Sequence, residues 1–251
     1  MYKQKYQLRC VKCGYITPNF ATWFSQEQCC PKCGSKQSDI EYSADYSALT
    51  SLFEGSPISF WHYFDFLPLY DKKNIISCQE GAIPLERWTF LEEYAKKKKN
   101  VDCQIFVYRN DLNGGTNTFK DIAASMAASV LKEIGVDNYC IPSTGNSATA
   151  YGKYLALAGI NAAIFMPENA EIASQAEISS YGQQVYRAQG DYAFAKKMAG
   201  EFATKHKIPI SAGNIDPIRI ESKRTMVFEW LRQIGKMPDV YVQAISGGTG
   251  P

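Results

Sequence analysis

Short apolar runs alternate with longer amphipathic runs along most of this chain, and no other feature of the sequence constrains its fold as strongly. Strand-like composition occurs at 104–108, 138–142, 162–166, 184–188 and 239–245. Helical spacing of apolar residues occurs at 121–135, 146–159, 170–181, 192–206 and 218–235. Because successive strand, helix and strand segments form right-handed βαβ units, the pattern predicts an α/β fold with parallel sheets.

Two cysteine pairs, Cys10-x-x-Cys13 and Cys30-x-x-Cys33, precede this region. Each C-x-x-C pair directs two thiolates at one ion, and two pairs supply the tetrahedral sulfur set that zinc prefers. A segment of about forty residues buries little core, so the metal would supply most of its folding free energy, on the order of 10 kcal/mol. We therefore predict a structural zinc ribbon over residues 1–40.

The composition is that of a globular protein with a sizeable core. The 251 residues are 45% hydrophobic and 21% charged, which excludes a largely disordered chain. The net charge of +2 predicts neither a nucleic-acid nor a membrane partner. Without a signal-peptide pattern, and with thiols that must stay reduced to bind zinc, a cytoplasmic protein is expected.

Cys29 is an alternative zinc ligand, although its spacing to Cys33 is three residues rather than two.

Lys120 stands at the start of the helical run 121–135. The unpaired backbone N–H groups of a helix N-terminus carry a partial positive charge, which disfavours an ammonium ion and lowers the pKa of a lysine there. A neutral lysine amine can form a Schiff base with an aldehyde. Most lysines at helix starts are simply solvated, so the neighbouring motifs decide between the two interpretations.

Two polar turns at strand ends supply the partners that such a lysine needs. The first turn follows strand 138–142 and comprises Ser143, Thr144, Gly145, Asn146 and Ser147. The second turn follows strand 239–245 and comprises Ser246, Gly247, Gly248, Thr249 and Gly250. Open α/β sheets place ligands at such strand ends, and consecutive glycines let backbone amides converge on an anion. Taken alone, the first turn could simply cap a helix, and the second could be a flexible glycine turn. Together with Lys120, however, the two turns predict a pyridoxal phosphate site.

The order of these motifs resembles the threonine synthase branch of the fold type II pyridoxal-phosphate enzymes. The matching positions are Glu80-Gly81-Ala82-Ile83-Pro84-Leu85, Phe119-Lys120-Asp121, Ser143 to Ala148, Gly213-Asn214, Arg219-Ile220-Glu221 and Pro238-Asp239. The approach to the lysine, Asn113 to Asn117, departs from the usual threonine synthase pattern. The segment Ile234 to Asp239 and the last glycine loop look closer to cysteate synthase, a relative, so the resemblance leaves the substrate open.

This resemblance implies a role for each motif. Lys120 would be the catalytic lysine that binds the cofactor aldehyde, and Asn146 would hydrogen-bond the 3-oxygen of the cofactor. The 5′-phosphate would be held by Ser246, Gly247, Gly248, Thr249 and Gly250. The substrate carboxylate would be bound by Ser143, Thr144, Gly145 and Ser147. Arg219 would bind a phosphate on the substrate, for which a bidentate guanidinium is suited.

The resemblance also implies a domain organisation, with two α/β lobes of parallel sheets wrapped by helices and the cofactor between them. A connecting segment, 41–76, would follow the ribbon. Residues 77–119 and 208–251 would belong to the large cofactor-binding lobe, and 120–207 would form a small movable lobe. Because the family continues through further strands and helices after the glycine loop, we expect this chain to lack the usual C-terminal part.

The expected reaction replaces the phosphate of a phosphorylated amino acid. A threonine synthase-like enzyme converts O-phosphohomoserine and water to threonine and phosphate, whereas the cysteate synthase-like alternative uses O-phosphoserine and sulfite. The partner is then a small molecule, and a homodimer is compatible with the family. The alternative of another class is a non-catalytic zinc-ribbon binding protein or an inactive fragment. The intact Phe119-Lys120-Asp121 and the lack of a basic stripe in the ribbon oppose it.

Overall fold

The computed structural model describes residues 4–244, and its N-terminal part is a small antiparallel ribbon. Strand β1 (Tyr6–Cys10) lies between β2 (Ile16–Thr17) and β3 (Ser38–Tyr42), and helix α1 (Phe20–Ser25) follows β2. Alternate side chains of β1 are buried, as expected for a strand with one solvated face. The ribbon therefore has the architecture that the spacing of its cysteines predicts.

A three-stranded parallel sheet forms the centre of the body. Its strands are β6 (Asn138–Pro142), β7 (Asn161–Pro167) and β8 (Gln184–Ala188), in the order β6-β7-β8. The middle strand, β7, is buried along its whole length after its first residue, because helices cover both faces of a parallel sheet. These three strands confirm the strand predictions at 138–142, 162–166 and 184–188.

The five predicted helices are all present, each with ends within two residues of the prediction. They are α3 (Lys120–Glu133), α4 (Asn146–Ala158), α5 (Ile172–Ser180), α6 (Tyr192–His206) and α7 (Pro217–Ile234). Glycines at 159 and 235, with φ of 74° and 77°, end α4 and α7 in the left-handed conformation. Helix α3 packs against both α4 and α7, and its residues from Asp121 to Leu131 are all buried.

Two strand predictions need correction. The run 104–108 contributes only β5 (Phe106–Tyr108), which pairs antiparallel with β4 (Leu85–Arg87) across helix α2 (Thr89–Lys99). Apolar composition identifies a strand but not the direction of its partner, so the expectation of parallel sheets alone was wrong here. Over 239–244 no strand forms; Val240 and Val242 are 77% and 89% exposed. Among the described residues no strand pairs with this segment.

The connecting segment is part of the core rather than a loose linker. It contains the 3₁₀ helices Tyr46–Phe53, Phe60–Phe66 and Lys72–Asn74, and buries aromatic side chains such as Phe60 and Tyr63. Within residues 4–244 no helix is both long and apolar enough to cross a membrane. The boundaries of the two expected lobes remain a prediction.

Candidate active site

A cavity of about 520 Å³ lies where the start of α3, the β6–α4 turn, α6 and the start of α7 meet. Its lining residues are Lys120, Pro142, Ser143, Thr144, Gly145, Asn146, Ser147, Tyr192, Lys196, Ser211, Ala212, Gly213, Asn214, Ile215 and Arg219. Every predicted cofactor or substrate residue within the described part of the chain is in this set. We refer to it below as the Lys120 cavity.

Lys120 is half-buried at the first position of α3, and its Nζ lies 3.9 Å from the centroid of the Phe119 ring. Burial, followed by the positive charges of Arg219 and Lys223, lowers the pKa of the Lys120 amine to about 7. The direction agrees with the expectation from the sequence. Burial and the two neighbouring cations are causes that the sequence did not indicate.

The carboxylate of Asp121 organises the loop that delivers Lys120 to the cavity. It accepts hydrogen bonds from Thr116 N at 2.9 Å and Thr118 N at 3.0 Å, and it is fully buried. A Cβ at Gly115, which has φ of 94°, would overlap this carboxylate and the Tyr154 hydroxyl. The loop therefore needs both glycine at 115 and an acceptor at 121.

The Glu80-Gly81 motif supports the same loop from the other side. Gly81 N donates to Asn113 Oδ1 at 2.8 Å, and Asn113 Nδ2 donates to Thr118 O at 2.6 Å. Buried Glu80 accepts a 2.7 Å hydrogen bond from the Tyr154 hydroxyl. These contacts give the motif a positioning role, and it does not line the Lys120 cavity.

The β6–α4 turn exposes its polar groups to the cavity instead of using them as helix caps. The N-cap position of α4 is Gly145, which has no side chain to cap the helix. Ser143 is held at the strand end by a 3.0 Å hydrogen bond from its amide to Phe165 O. Because Gly145 takes the cap position, the side chains of Thr144 and Asn146 line the cavity beside the first turn of α4.

Arg219 is only 8% exposed, which is unusual for an arginine in the first turn of a helix. Its Nη2 donates to Ser147 Oγ at 3.4 Å, and its guanidinium lies 5.8 Å from the centroid of the Tyr151 ring. The arginine is therefore held against the β6–α4 turn, facing Lys120, where it can meet an anionic ligand.

Several residues of the cavity were not predicted from the sequence. They are Tyr192, Lys196, Ser211 and, in the adjoining cleft, Lys223. Asn214 was noted in a motif but given no role. The spacing of Arg219 and Lys223, one helical turn apart, could have indicated Lys223. The sequence alone does not show that α6 lies across the cavity from the β6–α4 turn. It therefore could not predict that Tyr192 and Lys196 line the cavity.

The predicted phosphate-binding loop lies outside the described residues. This applies to Ser246, Gly247, Gly248, Thr249 and Gly250, and their proposed role remains a prediction.

The four predicted metal ligands converge in the ribbon. The Sγ atoms of Cys10, Cys13, Cys30 and Cys33 all lie within 4.8 Å of one another, with 3.6 Å between Cys10 and Cys33 and 3.5 Å between Cys13 and Cys30. Four sulfurs around a tetrahedral zinc, with bonds of about 2.3 Å, would be about 3.8 Å apart. The alternative ligand Cys29 is not in this group, and its thiol donates to Gln26 O.

Comparison with known proteins identifies the family. Residues 80–251 match the family described as "Pyridoxal-phosphate dependent enzyme", and the chain belongs to it. Threonine synthase of Methanocaldococcus jannaschii is 27% identical over 238 residues, covering 92% of this chain and 55% of that protein. Threonine synthase of Mycobacterium tuberculosis is 29% identical over 184 residues, 71% of this chain and 48% of that protein. The resemblance to threonine synthases is confirmed, and the chain spans about half of their length.

Solved structures share the fold at lower sequence identity. Apo diaminopropionate ammonia lyase of Escherichia coli has a TM-score of 0.53 and 20% identity, covering 62% of this chain and 48% of that one. Maize serine racemase has a TM-score of 0.53 and 19% identity, covering 61% and 45%. The expected fold type II α/β architecture is confirmed.

The described residues fit the cofactor of this family. Lys120 offers an amine with a lowered pKa, and among the described residues the lining of its cavity includes Lys196 and Arg219 but no carboxylate. Such a cavity favours an anionic aldehyde.

Proposed function

We propose that this protein replaces the phosphate of a phosphorylated amino acid, as a threonine synthase-like enzyme that uses pyridoxal phosphate. The observation that carries the proposal is the set of groups that line the Lys120 cavity. They are the Lys120 amine with its lowered pKa, the buried guanidinium of Arg219, and a turn rich in groups that can bind an anion. The similarity to threonine synthases supports the same reaction class.

Each group in the cavity has a task in such a reaction. Bound pyridoxal phosphate supplies an electron sink that stabilises negative charge at the substrate Cα. Lys120 would hold the cofactor, and its Nζ would then move the proton at Cα, for which a pKa near neutrality is suitable. The β6–α4 turn, with Ser143, Thr144, Gly145 and Ser147, would bind the substrate carboxylate beside the α4 N-terminus. Asn146 would contact the cofactor ring, and Arg219 the phosphate of the substrate.

The preferred substrate is O-phosphohomoserine, with water as the second reactant and threonine as the product. The competing substrate pair, O-phosphoserine and sulfite, is favoured by the sequence between Ile234 and Asp239. Phosphate release measured with each substrate distinguishes them. Release from O-phosphohomoserine supports the proposal, and release only from O-phosphoserine with sulfite replaces it with the cysteate synthase-like reaction.

Cofactor attachment is tested separately from turnover. Protein mixed with pyridoxal phosphate should turn yellow, and borohydride should fix the cofactor to the peptide that contains Lys120. The Lys120→Ala variant should remain unlabelled, whereas Lys132→Ala, an exposed position on the same helix, should be labelled normally. Colourless protein without labelled peptide would favour a non-catalytic binding protein.

We further propose that the cysteine cluster holds a structural zinc ion and that the protein works in the cytoplasm. The convergence of Cys10, Cys13, Cys30 and Cys33 supports the first point. The second point rests on the four free thiols, which stay reduced only in a reducing compartment.

A further inference from the structure

Helix α4 begins in the candidate site and packs, farther along, on the loop before Lys120. Its N-terminal turn lines the Lys120 cavity. Two turns later, Lys153 Nζ donates to Gly115 O at 2.9 Å, and the buried Tyr154 hydroxyl donates to Glu80 Oε2 at 2.7 Å. One helix therefore contacts both parts of the site, the polar turn at its own start and the loop that leads to the lysine.

The loop is packed too closely at two glycines to move independently of its neighbours. A Cβ at Gly115 would overlap both the Tyr154 hydroxyl and the Asp121 carboxylate. A Cβ at Gly114 would overlap the backbone of residues 78–79. Because the loop is enclosed between α4, the start of α3 and the segment before Glu80, its position follows that of α4.

The carboxylate that accepts the Tyr154 hydrogen bond is itself held in place. Glu80 is fully buried and also accepts hydrogen bonds from Cys78 N at 2.7 Å and Ser77 Oγ at 3.1 Å. Leaving a buried acceptor without one of its donors is costly, so the Tyr154 hydroxyl has one strongly preferred position. The hydrogen bond thereby fixes α4 relative to the segment that supports the loop.

We propose that Tyr154, together with Lys153, is a positioning residue that holds the loop before Lys120 at a fixed distance from the turn at the start of α4. The inference rests on the proposed function, in which Lys120 and Asn146 reach the same bound cofactor. Their separation matters because a displacement of about 1 Å can cost about a hundred-fold in rate. Within residues 4–244, neither Tyr154 nor Lys153 belongs to the cavity lining, so both act through the loop.

Tyr151, one turn before Tyr154 on α4, provides a matched control. It is as buried as Tyr154, but its hydroxyl has no hydrogen-bond partner among the described residues. Replacing either tyrosine with phenylalanine keeps the ring and its apolar contacts. Of the two replacements, only that of Tyr154 breaks the link to Glu80.

The test is the pH dependence of reductive methylation of Lys120, measured by peptide mass spectrometry in protein without cofactor. Burial is the largest cause of the lowered pKa of Lys120, and the other causes are charges on α7 that these variants leave in place. A displaced loop exposes the amine, so Tyr154→Phe should raise the pKa of Lys120 by about one unit. Lys153→Met should act in the same direction. Tyr151→Phe and Lys153→Arg, which keeps a donor for Gly115 O, should leave the profile in place.

Three results would overturn the inference. The first is an unmoved profile in Tyr154→Phe, which would make the hydroxyl a purely structural contact even if urea unfolding shows a loss of stability. The second is an equal shift in Tyr151→Phe, which would reflect a general loosening of α4. The third is a shift in Lys153→Met alone, which would leave Tyr154 without the assigned role. If Tyr154→Phe does not fold, the Lys153→Met profile decides in its place, and no shift there would reject the proposal.

Failure of this inference can be distinguished from failure of the proposed function. The methylation profile needs neither bound cofactor nor turnover. If the unmodified protein turns over neither phosphorylated substrate, the proposed function fails, and the profiles still show whether Tyr154 positions Lys120.

Discussion

The Lys120 amine should titrate near neutral pH. Because burial and two neighbouring cations lower its pKa to about 7, the amine is protonated below that pH and neutral above it. In protein without cofactor, reductive methylation of Lys120 should therefore rise steeply around pH 7. Peptide mass spectrometry measures the methylation of the Lys120 peptide at each pH. Methylation of Lys120 that begins only well above pH 7 would contradict the electrostatic basis of the site.

Arg219 should hold down the pKa of Lys120. Replacing it with glutamine removes the second-largest cause of the shift after burial, so Arg219→Gln should raise the pKa of Lys120 by about one unit. The same methylation profile measures the change. The matched variant Arg187→Gln, at an exposed position on β8, should leave the profile in place. A profile equally unmoved in Arg219→Gln would show that Arg219 does not contribute to the lowered pKa of Lys120.

The sequence could predict a site residue only where that residue belongs to a local motif. Lys120, Asn146 and Arg219 belong to local motifs, so the sequence could name them, and the fold brings all three to one cavity. Lys196 has no such motif. It reaches the cavity only because α6 lies across from the β6–α4 turn, which is a property of the packed sheet rather than of neighbouring residues.

At the scale of elements, the loop before α3 should depend on Asp121. Asp121→Ala removes the acceptor for Thr116 N and Thr118 N and leaves two partly buried donors unpaired, so the free energy of unfolding should fall by about 2–4 kcal/mol. The control is Asp191→Ala, which removes one exposed cap bond to Phe194 N and should cost about 1 kcal/mol. Urea unfolding measures both. Equal losses would mean that the loop is not held by this carboxylate.

Helices were easier to predict than strands for a physical reason. A helix satisfies its backbone hydrogen bonds within one segment, so apolar spacing and a terminal glycine such as Gly235 locate it well. A strand needs a partner from elsewhere in the chain. Thus β5 was expected in a parallel sheet but pairs antiparallel with β4, and 239–244 shows strand-like alternation without forming a strand.

At the scale of the whole molecule, the ribbon contacts the two segments that carry the candidate site. Gln28 Oε1 accepts a hydrogen bond from Ile210 N at 3.2 Å, next to Ser211 in the cavity wall. The guanidinium of Arg224, on α7, lies 4.7 Å from the centroid of the Tyr42 ring in β3. The cysteine pairs predicted the ribbon, but these contacts come from tertiary packing and could not be derived from spacing.

Loss of the metal should therefore destabilise the wall of the Lys120 cavity as well as the ribbon. Cys13→Ser should abolish stoichiometric zinc and remove most of a binding free energy on the order of 10 kcal/mol, whereas Cys29→Ser, outside the cluster, should keep one zinc per chain. Elemental analysis measures the metal, and amide hydrogen exchange measures the protection of Ile210 and α7. Faster exchange there in Cys13→Ser, but not in Cys29→Ser, is expected because the ribbon no longer supports them. Unchanged exchange at Ile210 and α7 despite loss of zinc would mean that these segments do not depend on the ribbon for their stability.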